Sequence, residues 1–185
     1  ESQLVSLRAQ MNPHFVFNCL NSIQQCIVMR NYSEAGIYLN KFSRLFRMVL
    51  NNSSRSLISL EEEISVLTLY LELEHMRFQE KFNYSIDFSN DMDIEEIMIP
   101  SMLLQPFVEN ALWHGLMHKE SDRELHIRFY MRDEEVFVCE IEDNGIGRER
   151  AREIKQQKTE TKSNESKGIK ISVDRLHLIG IQQGK

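Results

Sequence analysis

The hydrophobic periodicity of this 185-residue chain changes near Lys81, and this change limits the folds that the chain can adopt. Before that point, apolar residues recur every three or four positions, which is the pattern of amphipathic helices. After it, Tyr84, Ile86 and Phe88 alternate with polar residues, which predicts a strand. We therefore expect an α+β chain, with a helical part in residues 1–80 and a sheet-containing part in residues 81–185.

Three helices are expected in the first part. The first covers residues 4–29, the second is capped at Ser33, and the third opens with a capping box of Ser59 and Glu62 and ends near Phe78. Their apolar positions are Val16, Leu20, Ile23 and Ile27, then Tyr38, Leu39, Phe42, Leu45, Phe46 and Val49, then Ile64, Leu67 and Leu71. This surface exceeds what one helical hairpin can bury, so we expect a homodimer that forms a four-helix bundle.

The second part mixes strands and helices. Its predicted elements are a helix entered at Pro100 and ended at Gly115, strands over 124–132 and 135–142 joined as a hairpin, a helix over 148–156, a polar mobile loop over 157–167 and a last helix over 168–180.

The composition excludes several classes of protein. A net charge of −6 and a pI of about 5.6, without a cluster of Lys and Arg, argue against a nucleic-acid partner. The three cysteines lack metal-ligand spacing and are expected as free thiols, with packing as their role. No run of 18 apolar residues is present to span a membrane, and we expect any membrane or sensor segment to lie upstream of this chain.

His14 lies on the wrong side of its helix for a core residue. At about 100° per residue it is roughly 150° from the centre of the apolar stripe, so its imidazole should face solvent or a partner. Pro13 removes a backbone donor beside it and disturbs the helix. An imidazole is a nucleophile at neutral pH and can carry a covalent intermediate. Taken alone, however, a surface histidine near a kink is the commoner explanation.

Three stretches in the second part carry potential ligand-binding chemistry. In residues 105–115, Glu109, Asn110 and His114 would lie near one another on a helix, and carboxylate and amide oxygens suit Mg²⁺ beside nucleotide phosphates. Residues 141–147 (IEDNGIG) place an acidic residue and two glycines at the end of a strand, which allows close backbone approach to a ligand. In residues 166–170 (SKGIK), a glycine at a helix start offers N–H groups to an anion.

Each of these stretches also has an ordinary structural explanation. The first could be a polar helix face, and the second could be a common Asp-Asn-Gly turn. A metal site at His114 and His118 would lack further ligands. The order of the three stretches along the chain is therefore more informative than any one of them.

Together, these motifs resemble those of LytS-type sensor histidine kinases, whose ATP-binding domain belongs to the GHKL superfamily. Residues 10–18 (QMNPHFVFN) resemble the phosphoacceptor box of that family almost letter for letter. Residues 103–110 (LLQPFVEN) resemble its N box, residues 143–147 (DNGIG) its G1 box, and residues 70–78 its linker helix. The resemblance covers nearly the whole chain.

The resemblance implies an architecture and a setting. Residues 1–80 would form the dimerisation and phosphotransfer region, and residues 81–185 an ATP-binding α/β sandwich whose mixed sheet is covered on one face by helices. The closing strands of that sandwich would be missing, because the chain stops at Lys185. ATP and Mg²⁺ would be the cofactors, and a response regulator would be the partner. The chain would be the cytoplasmic portion of a bacterial inner-membrane protein.

The resemblance also implies residue roles. His14 would accept the γ-phosphoryl group and pass it to an aspartate of the regulator. Glu109 would act as a polarising group or as a general base. Asn18 stands where many such enzymes place a phosphatase residue. The nucleotide residues would be Asn110 as the Mg²⁺ ligand, Asp143 for the adenine amine, and His114, Gly145, Gly147, Gly168 and Lys170 around the pocket and the phosphates.

Two departures from the family pattern leave other functions open. Phe15 stands where many histidine kinases have an acidic residue, and Ser166-Lys167-Gly168 replaces the usual Gly-x-Gly. A non-catalytic dimeric scaffold with a weakly nucleotide-binding GHKL domain is therefore an alternative. A GHKL ATPase is another, although it would have no use for His14.

Overall fold

The computed structural model describes residues 13–79, 81–133 and 136–147. The chain forms two compact units. The first contains the residues up to 80 together with Ile94–Met102, and the second contains Lys81–Asp93 and the chain from Leu103 onward. The chain therefore passes between the two units three times. The functions assigned above to residues 1–80 and 81–185 stay predictions.

Several predicted features lie outside the described residues. They are the start of the first helix over residues 4–12, the helices over 148–156 and 168–180, the loop over 157–167, and the site residues Gly168 and Lys170.

Three helices form most of the first unit: α1 (Pro13–Val28), α2 (Tyr32–Ser53) and α3 (Leu60–Arg77). The cap predicted at Ser33 was wrong, because Asn31 caps α2 and its side chain accepts a hydrogen bond from the amide of Glu34. Asparagine is among the strongest N-capping residues, and it stands two positions earlier.

The capping box at the start of α3 is confirmed. The hydroxyl of Ser59 accepts from the amide of Glu62 at 3.2 Å, and the carboxylate of Glu62 accepts from the amide of Ser59 at 3.1 Å. The end of α3 at Phe78 is confirmed as well. α3 is buried far more widely than its predicted stripe, and its buried residues are Leu60, Glu63, Val66, Leu67, Leu69, Tyr70, Leu71, Leu73 and Glu74.

The helix predicted to begin at Pro100 starts later. Strand β3 (Met98–Pro100) pairs antiparallel with β1 (Leu57–Ser59), so Pro100 ends a strand instead of opening a helix. The segment before β3 also caps the start of α3. The carbonyls of Ile97 and Ile94 accept hydrogen bonds from the first two amides of that helix at 2.8 and 2.9 Å. Those amides have no partner within the helix itself.

In the second unit, the described residues form a three-stranded mixed sheet. β2 (Asn83–Phe88) pairs in parallel with β4 (Glu124–Met131), which pairs antiparallel with β5 (Phe137–Asp143). The order is β2-β4-β5. The predicted strand and hairpin are thus confirmed. Alternate residues of β4 are buried on one face, namely Leu125, Ile127 and Phe129, as expected for a half-covered sheet.

The apolar stripe predicted for α1 was wrong in phase. The helix buries Phe15, Cys19 and Ile23, whereas Leu20 and Ile27 are 47% and 50% exposed. Apolar residues cover more than one face of α1, so their spacing alone did not show which face packs within the chain. Among the described helices, none is both long and apolar enough to cross a membrane.

Cysteine reactivity tests this packing. Burial raises the pKa of Cys19 to about 12, and its sulfur lies 3.9 Å from the hydroxyl of Tyr38. Because the thiolate is the reactive form, we expect iodoacetamide at pH 8 to modify the half-exposed Cys26 and Cys139 first. Cys19 should react only after denaturant is added, as followed by mass spectrometry. Equal rates at Cys19 and Cys139 without denaturant would contradict the packing of α1.

Candidate functional site

His14 is exposed on α1, as predicted, although the buried face of this helix is not the predicted stripe. The next residue, Phe15, is 2% exposed, and its ring centroid lies 4.9 Å from that of Tyr70 on α3. Successive helical residues point about 100° apart, so the burial of Phe15 and Cys19 turns His14 outward. Phe15 is therefore a packing residue and supplies no base to His14.

Asn18 lies beside His14 on the same face of α1. Its side-chain amide is 3.1 Å from Nδ1 of His14, a contact between residues four apart. The amide can donate to Nδ1 or accept from it, depending on the tautomer of the imidazole. Asn18 can therefore hold the ring without taking its proton.

In the second unit, the candidate nucleotide residues begin on a short helix. This helix, α4 (Gln105–Asn110), continues through a π-helical turn (Ala111–Gly115) and a 3₁₀ turn (Leu116–His118). The predicted end at Gly115 was therefore wrong by one turn. A π turn is wider than an α turn, so His114 is not one α-helical turn beyond Asn110, and such turns are frequent at functional sites.

Three residues meet where this helical segment approaches β5. A Cβ atom on Gly115 would lie 2.3 Å from Oδ1 of Asp143, and one on Gly145 would lie 2.3 Å from the carbonyl carbon of Gly115. The backbone of Gly115 therefore leaves no room for a side chain at Gly145, and a side chain at Gly115 would displace the carboxylate of Asp143. The amide of Ile146 donates to the carbonyl of Gly115 at 3.3 Å. The structure thus joins the acidic glycine turn to the helical segment that carries Glu109 and Asn110.

The turn itself is held by side chains. Oδ1 of Asp143 accepts from the amide of Gly145 at 3.0 Å. The side chain of Asn144 accepts from the amide of Glu124 at 2.9 Å and donates to the carbonyl of Asp122 at 2.7 Å. Gly147 follows with a φ of +78°, which favours glycine. The exposed carboxylate of Asp143 is therefore fixed in orientation.

The structure brings some of the predicted site residues together and leaves others apart. His14 and Asn18 are in contact in the first unit, and Asp143 and Gly145 meet in the second. Glu109 and Asn110 are half-buried on α4, while His114 is exposed. Within residues 13–79, 81–133 and 136–147, no cluster of three or more His, Cys, Asp or Glu could hold a metal.

Three residues with structural roles at the site were not singled out from the sequence. Gln105 contacts Glu109, and their spacing of four was a readable signal. Asn144 stands in an Asp-Asn-Gly turn, where side-chain bonds to the backbone are common. The close approach at Gly115 gave no signal, because Asp143 and Gly145 are distant in sequence.

Comparison with known proteins shows which proteins this chain is similar to. Residues 2–82 match the family model described as Histidine kinase. The predicted resemblance to LytS-type sensor histidine kinases is confirmed. The chain is 32% identical over 147 residues to Sensor protein LytS of Staphylococcus haemolyticus, covering 80% of this chain and 24% of that protein.

A second relative extends the match over nearly the whole chain. This is Sensor histidine kinase/phosphatase LytS of Staphylococcus aureus, which is 28% identical over 180 residues, covering 97% of this chain and 26% of that protein. The chain thus spans about a quarter of the length of the curated relatives it matches.

A substitution at Gly115 tests the contact with Asp143. In Gly115→Ala, the added methyl group would clash with the carboxylate of Asp143, which must move. Because the resemblance to LytS-type kinases implies that this carboxylate binds the adenine amine of ATP, we expect at least a 10-fold loss of ATP affinity, equivalent to about 1.4 kcal/mol, measured by calorimetry.

The matched control is Gly36→Ala. A Cβ there would meet no atom within 4 Å, and Gly36 lies inside α2. That variant should be more stable by up to about 1 kcal/mol with ATP affinity unchanged. Equal ATP affinity in the Gly115 variant and the parent would contradict the proposed role of this contact.

Proposed function

We propose that this chain is the core of an ATP-dependent protein histidine kinase, which phosphorylates its own His14 and passes the phosphoryl group to an aspartate of a response regulator. The observation that carries the proposal is the exposure of His14 on a helix whose opposite face is fixed by Phe15 and Cys19. An acceptor for phosphoryl transfer needs access and correct positioning more than a deep pocket. The match of residues 2–82 to the histidine kinase model and the similarity to LytS sensor proteins support the same function.

The nucleotide would bind in the second unit, at the turn that contains Asp143. The oriented carboxylate of Asp143 would accept from the adenine amine, while Gly145 and Gly147 keep the backbone free of side chains near the base. Asn110 would contribute its side-chain oxygen to Mg²⁺, and the carboxylate of Glu109 lies beside it in sequence. Bound Mg²⁺ and ATP would supply the phosphoryl group and neutralise its charge.

The remaining assignments rest on the resemblance alone. His114, Gly168 and Lys170 would lie near the phosphates. The name of the S. aureus relative includes a phosphatase activity, which supports a role for Asn18 in removing the phosphoryl group from the regulator. We further propose that the chain is the cytoplasmic, transmitting part of a longer bacterial inner-membrane sensor.

The exposed apolar side chains of the helical unit support a homodimer. Leu39, Phe46 and Leu50 are 49%, 37% and 37% exposed and lie on one face of α2. Phe17 and Leu20 are likewise exposed on α1. A second copy of the chain would bury these side chains in a four-helix bundle.

Replacement of the acceptor tests the proposed kinase activity. His14→Gln should abolish labelling by γ-labelled ATP, while ATP affinity stays unchanged because His14 is in the other unit. The control His75→Gln should keep the label. A His14 variant that is still labelled would refute the proposed mechanism, and an unlabelled parent would favour the non-catalytic scaffold.

Two substitutions separate base binding from phosphate binding. Asp143→Ala should abolish ATP binding by removing the acceptor for the adenine amine. Asn110→Ala should keep much of the affinity measured without Mg²⁺ and lose the increase that Mg²⁺ brings. Calorimetry with and without Mg²⁺ measures both effects. If Asp143→Ala bound ATP as tightly as the parent, the pocket would lie elsewhere.

Light scattering tests the dimer. The parent should be a dimer at tens of micromolar, and Phe46→Glu should be a monomer, because a charge would replace an apolar contact. The control Phe88→Glu changes an exposed phenylalanine of the second unit and should remain dimeric. A monomeric parent would count against the four-helix bundle.

A further inference from the structure

Gln105 is a buried polar residue in contact with a proposed catalytic carboxylate. It is the first residue of α4 and only 3% exposed. Its amide nitrogen donates to Oε1 of Glu109 at 2.9 Å. The two residues are four apart, so they lie on the same side of the helix. The burial of Gln105 leaves its side chain little freedom to turn away from Glu109.

The oxygen of the same side-chain amide has a less favourable environment than the nitrogen. Oε1 of Gln105 is buried and accepts no hydrogen bond from the part of the chain that the structure describes. A buried polar atom without a partner destabilises the fold, and an apolar side chain of similar size would avoid this penalty. The bond to Glu109 is therefore the feature that distinguishes Gln105 from a leucine at this position.

We propose that Gln105 is a positioning residue for the carboxylate of Glu109. With Oε1 of Glu109 held by a buried donor, the plane of the carboxylate and the direction of Oε2 are set. An amide suits this role because it donates a hydrogen bond without exchanging a proton. The inference rests on the proposed kinase function, in which Glu109 acts beside Asn110.

Two variants of Gln105 test this role. Gln105→Leu removes the donor and keeps the size of the side chain. We expect the single-turnover rate of phosphorylation at saturating ATP to fall about 10-fold or more, because small misplacements of reacting groups are costly. The dissociation constant for ATP should stay within about twofold, and the melting temperature should not fall.

The second variant keeps the shape of the side chain. Gln105→Glu replaces the donor with a carboxylate, which repels the carboxylate of Glu109 instead of holding it. The rate should fall at least as far as in Gln105→Leu, while the dissociation constant for ATP again stays within about twofold. The matched control is Gln25→Leu, which replaces an exposed glutamine of α1 and should leave the rate unchanged.

The outcomes separate this inference from the proposed function. If the parent is labelled and Gln105→Leu reacts at the parent's rate, the inference is wrong while the kinase function stands. A rate, ATP affinity and melting temperature that fall together in Gln105→Leu would show a purely structural residue. A parent that binds ATP without being labelled would overturn the kinase function and this inference with it.

Discussion

Helix α3 is buried on most of its sides, and the rest of the first unit packs around it. Tyr70 of α3 packs against the ring of Phe15, and the carbonyl of Leu73 accepts from the hydroxyl of Tyr38 on α2 at 3.1 Å. The buried carboxylate of Glu63 accepts from the amide of Met102, which joins the returning segment Ile94–Met102 to the same helix. The contact of Phe15 with Tyr70 fixes the rotation of α1. The exposure of His14 is therefore a consequence of core packing on the other side of its helix.

In the second unit, the corresponding constraint is the absence of side chains at Gly115 and Gly145. A side chain at Gly145 would clash with the backbone of Gly115, and one at Gly115 would clash with the carboxylate of Asp143. This contact joins the end of the helical segment to the turn after β5, and with it the carboxylate of Asp143. In each unit, the packing of neighbouring residues thus sets the position of the chemical group.

The sequence predicted what depends on local interactions. The capping box was recognisable because Ser59 and Glu62 are close in the chain. The hairpin of β4 and β5 was recognisable because apolar and polar residues alternate along its strands. The buried face of α1 was not, because its apolar residues serve more than one face. Pro100 was assigned to a helix because its strand partner, Leu57, is distant in sequence. The contact of Gly115 with Asp143 was missed for the same reason.

The most direct test of the account is to locate the phosphate in the parent protein. The chain is incubated with Mg²⁺ and γ-labelled ATP, digested without acid, and its peptides are analysed by mass spectrometry. The account predicts one phosphate that is lost in acid and stable in alkali, on the peptide that contains His14. An acid-stable phosphate on a serine or threonine, or a protein that binds ATP and acquires no phosphate, would contradict it.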